Sequence, residues 1–243
     1  MIYVTGDTHG SNHLGKLEGE QWPAGRGLKR DDLVLVCGDF GGVLRLEKRD
    51  RDILDWWEAQ PWTTLFIDGN HDNIDALDAM PTEQRYGAPV HVVPEHPHVI
   101  HLMRGYVYEL PVSPDTTTSV LAMGGAASRD LNSRTEGYDW WARELPSDEE
   151  YDRCSASLGA RDWRVDYVVT HELPADLRMP ALDWRSYSSL LSGADTLTNY
   201  LQWVYDRLDK ETLHCWYAGH YHKDLYVDEK VRVLFDDIVE LSA

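Results

Sequence analysis

The sequence predicts an α/β fold in which two β-sheets pack face to face and helices flank them. Two observations predict it. Short apolar runs end again and again in glycine or a polar cluster: IYVTGD (2–7), LVLVCGD (33–39), TLFIDGNH (64–71), VLAMGG (120–125), DYVVTH (166–171) and HCWYAGH (214–220), which is the pattern of buried strands. Helical stretches and hairpins lie between them, and strands alternating with helices build a layered α/β unit.

The helical stretches are 47–59, 139–158 and 186–208. In the last, Leu190, Leu191, Leu197, Leu201, Val204 and Leu208 recur about one turn apart. Residues 90–110 read as a β-hairpin punctuated by Pro94, Pro97 and Gly105, and LYVDEKVRVLF (225–235) as a second, turning at 228–230. No linker, repeat or low-complexity tract interrupts the chain, so residues 1–243 read as one domain, a size that buries roughly three quarters of its extended surface. The ten tryptophans, including the pairs Trp56-Trp57 and Trp140-Trp141, read as packing anchors. A base-stacking platform would want neighbouring basic residues.

Charge narrows the function. With 23 basic and 42 acidic residues the net charge is -19, a field that repels nucleic-acid phosphates. An anionic substrate then needs a local positive charge, which a bound metal supplies. Cys37, Cys154 and Cys215 are odd in number and lack CxxC spacing, which points to a reducing compartment and, for Cys37 and Cys215, to small core residues. The chain is strand-like from its first residues, and no apolar run approaches the roughly 18 residues of a membrane helix. The expectation is a cytoplasmic protein without a membrane partner.

The residues at the carboxyl ends of the strands carry the chemistry, where open α/β sheets build ligand sites. They are Asp7 and His9, then Asp39, then Asn70 and His71, then His171, then His220 and His222. Each can bind a metal or carry a proton. A single Asp or Asn there serves equally well as a helix cap or Asx turn, but five strands ending this way point to one shared site. In GHYH (219–222), residues two apart on an extended strand face the same side, which brings both imidazoles within reach of one site. Gly219 lets the backbone come close to something. His13, His91, His96, His98, His101 and His214 fall elsewhere and receive no role.

GDTHG (6–10), GDFGG (38–42), GNHD (69–72), the isolated TH (170–171) and GHYH (219–222) resemble, in order, the motifs of the calcineurin-like metallophosphoesterases: D-x-H, GDxxD, GNH followed by Asp or Glu, a lone His, and GHxH. The resemblance implies a four-layer α/β/β/α fold and a dinuclear hydrolase of phosphate esters. It covers phosphomonoesterases and phosphodiesterases of small-molecule or nucleotide substrates, in which a metal-bridging hydroxide attacks phosphorus in line. Carried over, Asp7, His9 and His222 would hold one metal and Asn70, His171 and His220 the other, with Asp39 bridging. Mixed oxygen and imidazole donors suit Mn, Fe, Zn or Co, with Mn favoured. Two anionic ligands leave two divalent ions a net charge of roughly plus two. His71 would donate a proton to the leaving oxygen or hydrogen-bond the phosphate, and Asp72 would cap the helix beginning near Asn73.

The chain departs from the pattern in two places. Gly42 stands where the family often has the aspartate that orients the GNH histidine, leaving Asp68 as a candidate substitute. Val43 and Asp68 stand where the phosphoprotein phosphatase branch has phosphate-gripping arginines, which argues against that branch. A grip is sought instead in GGAASRDLNSR (124–134), through Arg129 and Arg134. Gly124 and Gly125 there would let the backbone approach a ligand or would only turn it, and Arg129 would alternatively pair with Asp130. This segment, followed by a WW-containing stretch, resembles uncharacterised bacterial and phage members. Two other classes stand beside the enzyme reading: an inert scaffold, which would be expected to have lost these motif residues, and a nuclease acting with a basic partner.

Overall fold

A computed structural model describes residues 1–128, 130–182 and 195–241. The first sheet has a parallel centre of β1 (Ile2–Thr5), β2 (Leu33–Cys37), β3 (Thr63–Ile67) and β6 (Val99–Leu102). The antiparallel strands β5 (Ala88–Val92) and β4 (Thr82–Arg85) extend one edge, and β13 (Ile238–Glu240) closes the other. The second sheet has its own parallel centre, β8 (Thr116–Met123), β9 (Tyr167–Thr170), β10 (Cys215–Ala218) and β12 (Val231–Val233). Its antiparallel edges are β7 (Tyr106–Ser113) and β11 (Leu225–Asp228).

Alternation along each strand divides the apolar residues among three cores. Ile2, Val4, Leu35 and Ile67 meet Leu110, Val120, Val169 and Tyr217 between the sheets. On the outer face of the first sheet, Val34, Val36 and Phe66 meet Ile53, Leu54 and Trp57 of α1 (Lys48–Glu58) and Ile74 and Leu77 of α2 (Ile74–Asp78). On the outer face of the second, Leu121, Val168 and Trp216 meet Cys154 and Leu158 of α3 (Asp148–Gly159) and Leu197, Leu201 and Val204 of α4 (Thr196–Arg207). Three cores separate four layers, the expected α/β/β/α sandwich. No helix among the described residues is long and apolar enough to cross a membrane.

Several elements differ from the sequence reading. Of residues 90–110, β5 and β6 do pair antiparallel, but β7 begins at Tyr106 and lies in the other sheet. The helix expected over 139–158 starts only at Asp148. Ser147 there accepts from the Glu150 amide while the Glu150 carboxylate accepts from the Ser147 amide at 2.7 Å, a capping box legible as S-x-x-E. The helix expected over 186–208 begins at Thr196, capped by Asp195, and its upstream part lies outside the described residues.

Between β6 and β7 the chain crosses from one sheet to the other, and Arg104 is buried at that crossing. Its guanidinium donates to Asp68 at the end of β3, at 2.6 and 3.0 Å, and to the carbonyl of Glu144 at 3.2 Å. It also reaches Glu150 of α3 at 3.4 Å. Asp68 is therefore committed to Arg104 and to the His101 ring at 3.2 Å, away from His71, and cannot replace the missing acid of GDxxD. Gly124 and Gly125 serve this knot as well. A Cβ on Gly124 would lie 2.2 Å from the Asp68 carboxylate and one on Gly125 2.4 Å from the Glu144 carbonyl, so the close backbone approach is to these groups and not to a ligand.

Arg104→Met should destabilise the protein by about 3–5 kcal/mol in urea unfolding, because it strands a buried carboxylate. Burial opposes ionisation of Asp68, but Arg104 and His101 outweigh it and hold the carboxyl well below the usual range. A depressed folded pKa stabilises above the unfolded value and loses that contribution as the pH falls. The gap between wild type and Arg104→Met should thus be full above about pH 4 and shrink below it.

Candidate metal centre

The parallel strands deliver the predicted residues to one place. Asp7 follows β1, Asp39 follows β2, Asn70 and His71 follow β3, His171 follows β9, and His220 and His222 follow β10. Thus three loops come from the first sheet and two from the second. Asp7, Asp39, Asn70 and His171 are buried, His9, His71 and His220 partly so.

Backbone geometry at the site is unusual. His9, Asp39, His220 and His222 all adopt left-handed backbone angles, with φ of 47°, 48°, 68° and 50°, uncommon for residues with a side chain. For His220 and His222 this corrects the sequence reading. β10 ends at Ala218, so the two histidines stand on a turn and not on one face of an extended strand. The turn separates them. The His222 Nε2 lies 2.9 Å from His9 Nε2 and 3.2 Å from Asp7 Oδ2, whereas the His220 ring packs edge-on against His171 with centroids 5.0 Å apart.

The motif glycines make room for the carboxylates. A Cβ on Gly219 would lie 2.3 Å from Asp7 Oδ1, and one on Gly69 would lie 2.1 Å from Asp39 Oδ1. With that space free, the His220 amide donates to Asp7 Oδ1 at 2.9 Å and the His71 amide donates to Asp39 Oδ1 at 2.9 Å. The His220 amide also lies 3.2 Å from Asp7 Oδ2, whereas the His71 amide holds one oxygen of Asp39 and leaves Oδ2 facing the imidazoles.

What faces inward is a set of acceptors. His171 Nδ1 lies 2.7 Å from the Cys37 carbonyl, which only accepts, so Nδ1 carries the hydrogen. Its Nε2 then points at Asp39 Oδ2 and Asn70 Oδ1, both at 3.3 Å. The Asn70 amide is oriented by donation from Nδ2 to Ser128 Oγ at 3.1 Å, which aims its carbonyl oxygen into the site. Asp39 Oδ2 also lies 3.8 Å from His9 Nε2, between the two clusters. Among the described residues, two groups bring their donor atoms within 4.8 Å of one another: Asp7, His9 and His222, and Asp7, Asp39 and His171. Oxygen and imidazole donors converging in this way fit a pair of cations.

The electrostatics agree with that fit. Burial works against charge on Asp7, but His171, His222 and His9 hold it well below the usual carboxylate range. Burial likewise opposes Asp39, and His171 brings it down. Burial also opposes charge on His171, yet Asp39 and Asp7 lift it to about 10. A proton shared between Asp39 and His171 thus occupies the place where the donor set favours a cation. His220, pushed down to about 4 chiefly by burial, keeps a neutral ring with a free lone pair.

Around this core the structure reassigns three residues. Asp72 does not cap the following helix; Asn73 does, accepting from the Ala76 amide. Asp72 instead accepts from the amides of Phe40, Gly41 and Gly69 at 3.0, 2.8 and 2.9 Å, tying the second motif to the third. Arg134 turns toward His71, its Nη2 and Nη1 lying 2.9 and 3.1 Å from the ring nitrogens. Asp130 at 2.6 Å and the Asp139 carbonyl at 3.1 Å fix its guanidinium. Arg129 lies outside the described residues.

Three contributors escaped the sequence reading. Lys16 donates its ammonium to the carbonyls of Gly6 and Asp7, each at 3.0 Å, and to that of Phe235. Glu172 is buried with Oε2 3.8 Å from His220 Nε2, and its Oε1 accepts from the Tyr221 hydroxyl. Ser128 orients Asn70. Only Glu172 carried a signal, an acid directly after the lone TH.

The chain matches the model of the calcineurin-like phosphoesterase family over residues 1–224. It belongs to that family. The family's activity is in general metal-dependent hydrolysis of phosphate esters, typically with two divalent metals, and the acceptor-lined centre of this calcineurin-like phosphoesterase offers candidate groups for them. No curated protein matches the chain.

Gly219→Ala should push the new methyl against the Asp7 carboxylate at 2.3 Å and the Cys37 carbonyl at 2.5 Å, so the variant's folding is checked by circular dichroism beside its metal content. The metal bound after loading, dialysis and gel filtration should be lower than in the wild type. Retention of full metal content would show that the Asp7 loop tolerates the methyl.

Proposed function

We propose that the chain is an active dinuclear phosphoesterase acting on a small phosphorylated molecule or nucleotide. Asp7, His9 and His222 hold one ion, Asn70, His171 and His220 the other, and Asp39 lies between both. The observation that carries this reading is the convergence of Asp39 Oδ2 and Asn70 Oδ1 on His171 Nε2, each at 3.3 Å. The mixed donor set favours Mn among Mn, Fe, Zn and Co. When bound, such a pair acidifies a water and neutralises charge on the phosphoryl oxygens.

The chain's own residues prepare the substrate. His71 stands at the rim of the centre, its amide anchored on Asp39. Burial lowers its pKa, and although Asp39 raises it, Arg134, His9 and His171 add to the lowering. A neutral imidazole has one acceptor nitrogen and one N–H. Both ring nitrogens lie close to Arg134, at 2.9 and 3.1 Å, so one accepts from the guanidinium and the N–H has to turn away from it to donate to a phosphate oxygen. Arg134, its donors directed to Asp130, Asp139 and His71, acts as a positioning residue for that ring.

The inert-scaffold alternative has little support, because each motif residue keeps its side chain turned into the centre. The nuclease alternative is disfavoured by the net charge of -19.

Metal-stripped protein should hydrolyse neither para-nitrophenyl phosphate nor bis(para-nitrophenyl) phosphate, and Mn should restore turnover of at least one. Asp39→Ala should abolish that recovery. No turnover of either ester with Mn, Fe, Zn or Co would sink the enzyme reading. His71→Ala should retain its metals and slow turnover about a hundredfold, equally for esters with good and poor leaving groups. Greater slowing of the poor leaving group would make His71 a proton donor instead.

A further inference from the structure

The metal centre opens onto two clefts rather than one. The first, of about 480 Å³, contains Asn70, His220 and His222 in its wall; the second, of about 350 Å³, contains His9. They share His71, Asp130 and Arg134. Of the residues assigned to the ions, ligands of both sets thus line the first cleft and His9 alone lines the second, and His71 borders both. A phosphorus atom beside His71 has concave space on each side.

The charged side chains lining the two clefts balance, with Arg49, Arg134 and Lys223 against Asp50, Asp130 and Asp139, whereas the protein as a whole carries a net charge of -19. Every carboxylate lining the second is already engaged. Asp50 accepts from the amides of Leu44, Arg45 and Leu46 at 3.1, 2.6 and 2.6 Å. Asp130 pairs with Arg134 at 2.6 Å, and Asp139 accepts from the Thr135 amide at 2.6 Å. Two cations are left over. Arg49 borders the second cleft and Lys223 the first, and neither makes a side-chain hydrogen bond or ion pair among the described residues. Beyond Arg49 and Asn12 the second cleft runs into a third, of about 740 Å³, walled by Leu14, Ile53 and the half-buried Trp56. This offers a ring surface on the far side of a free guanidinium.

We infer that the substrate is a phosphodiester whose two arms lie one in each cleft, each arm offering a hydrogen-bond acceptor to Arg49 or Lys223, and the arm toward Trp56 carrying a ring. This rests on the hydrolase reading above. A monoester has one arm and would leave one cleft and its cation unused. In the reaction, water adds its oxygen to phosphorus and the P–O bond to one arm breaks. The departing oxygen takes a proton from that water, and the products are one alcohol and one monoester. The alcohol leaves by its own cleft while the monoester remains in the other.

The test uses the Mn-loaded protein and three esters: para-nitrophenyl phosphate, bis(para-nitrophenyl) phosphate and the para-nitrophenyl diester of thymidine monophosphate. The value of kcat/KM should be at least about tenfold higher for each diester than for the monoester, the scale of one charge-assisted contact. In Arg49→Ala or Lys223→Ala, the ratio of thymidine diester to monoester should fall about tenfold, mainly through KM. Equal or better turnover of the monoester would overturn the diester assignment and leave the hydrolase standing. A diester preference unchanged in both variants would overturn the assignment of the arms to these clefts. Turnover of none of the three would overturn the hydrolase reading itself.

Discussion

Two buried carboxylates, Asp7 and Asp39, are brought to one point, and the rest of the structure is arranged around that constraint. Desolvating each anion costs several kcal/mol, and placing two together adds repulsion. The fold opposes this with one backbone amide on each carboxylate and with His171 between them. The four left-handed residues of the site each add strain of about 1–3 kcal/mol. Such strain persists only where surrounding structure over-determines it, and the parallel strands do this: Thr5, Val36 and Phe66 sit in register across β1, β2 and β3, and Thr170 and Ala218 across β9 and β10. These costs fall in three loops, after β1, β2 and β10, and they meet at one point.

The same constraint explains how an acidic protein can receive an anion. Its net charge of -19 is a property of the outer surface, and at about 10 Å screening already weakens it. Close to the centre, acids such as Asp50, Asp72 and Asp130 are occupied by amides or by Arg134. Their charge is spent on shaping loops. Among the described residues Arg49 and Lys223 stay unpaired on the clefts beside them, so the overall charge alone misjudges which groups an anion meets there.

The sequence disclosed the fold and the site to different depths. Strands and the four-layer order were legible because apolar runs of four to five residues ending in glycine leave little alternative, as in β1, β2 and β3. The helix before Asp148 was overread: WWARE has helical composition, but Pro146 and the Ser147 cap start the helix afresh. The inward-facing residues were legible because strand ends place them. Their supports were not. Lys16 and Ser128 act through contacts spanning 9 and 58 residues of chain, and nothing local marks a lysine destined for carbonyls or a serine destined for an amide. His220 and His222 were placed on the right centre for the wrong reason, since a period of two holds only in extended backbone and the chain leaves it at Ala218.

The glycine at 42 is the departure with the largest consequence, and the structure shows why an acid does not fit there. A Cβ at this position would lie 2.7 Å from the Phe40 ring and 3.2 Å from Leu54. Phe40 is fully buried, stacked on Phe66 at 4.1 Å and on Trp57 at 5.2 Å. A carboxylate from 42 would have to displace a ring on which the outer core of the first sheet is packed. His71 is therefore held from the opposite side, by Arg134. An acid beside an imidazole stabilises its charged form, and a guanidinium stabilises the neutral form. With position 42 closed by core, His71 has a guanidinium as neighbour in place of an acid, which favours its neutral ring.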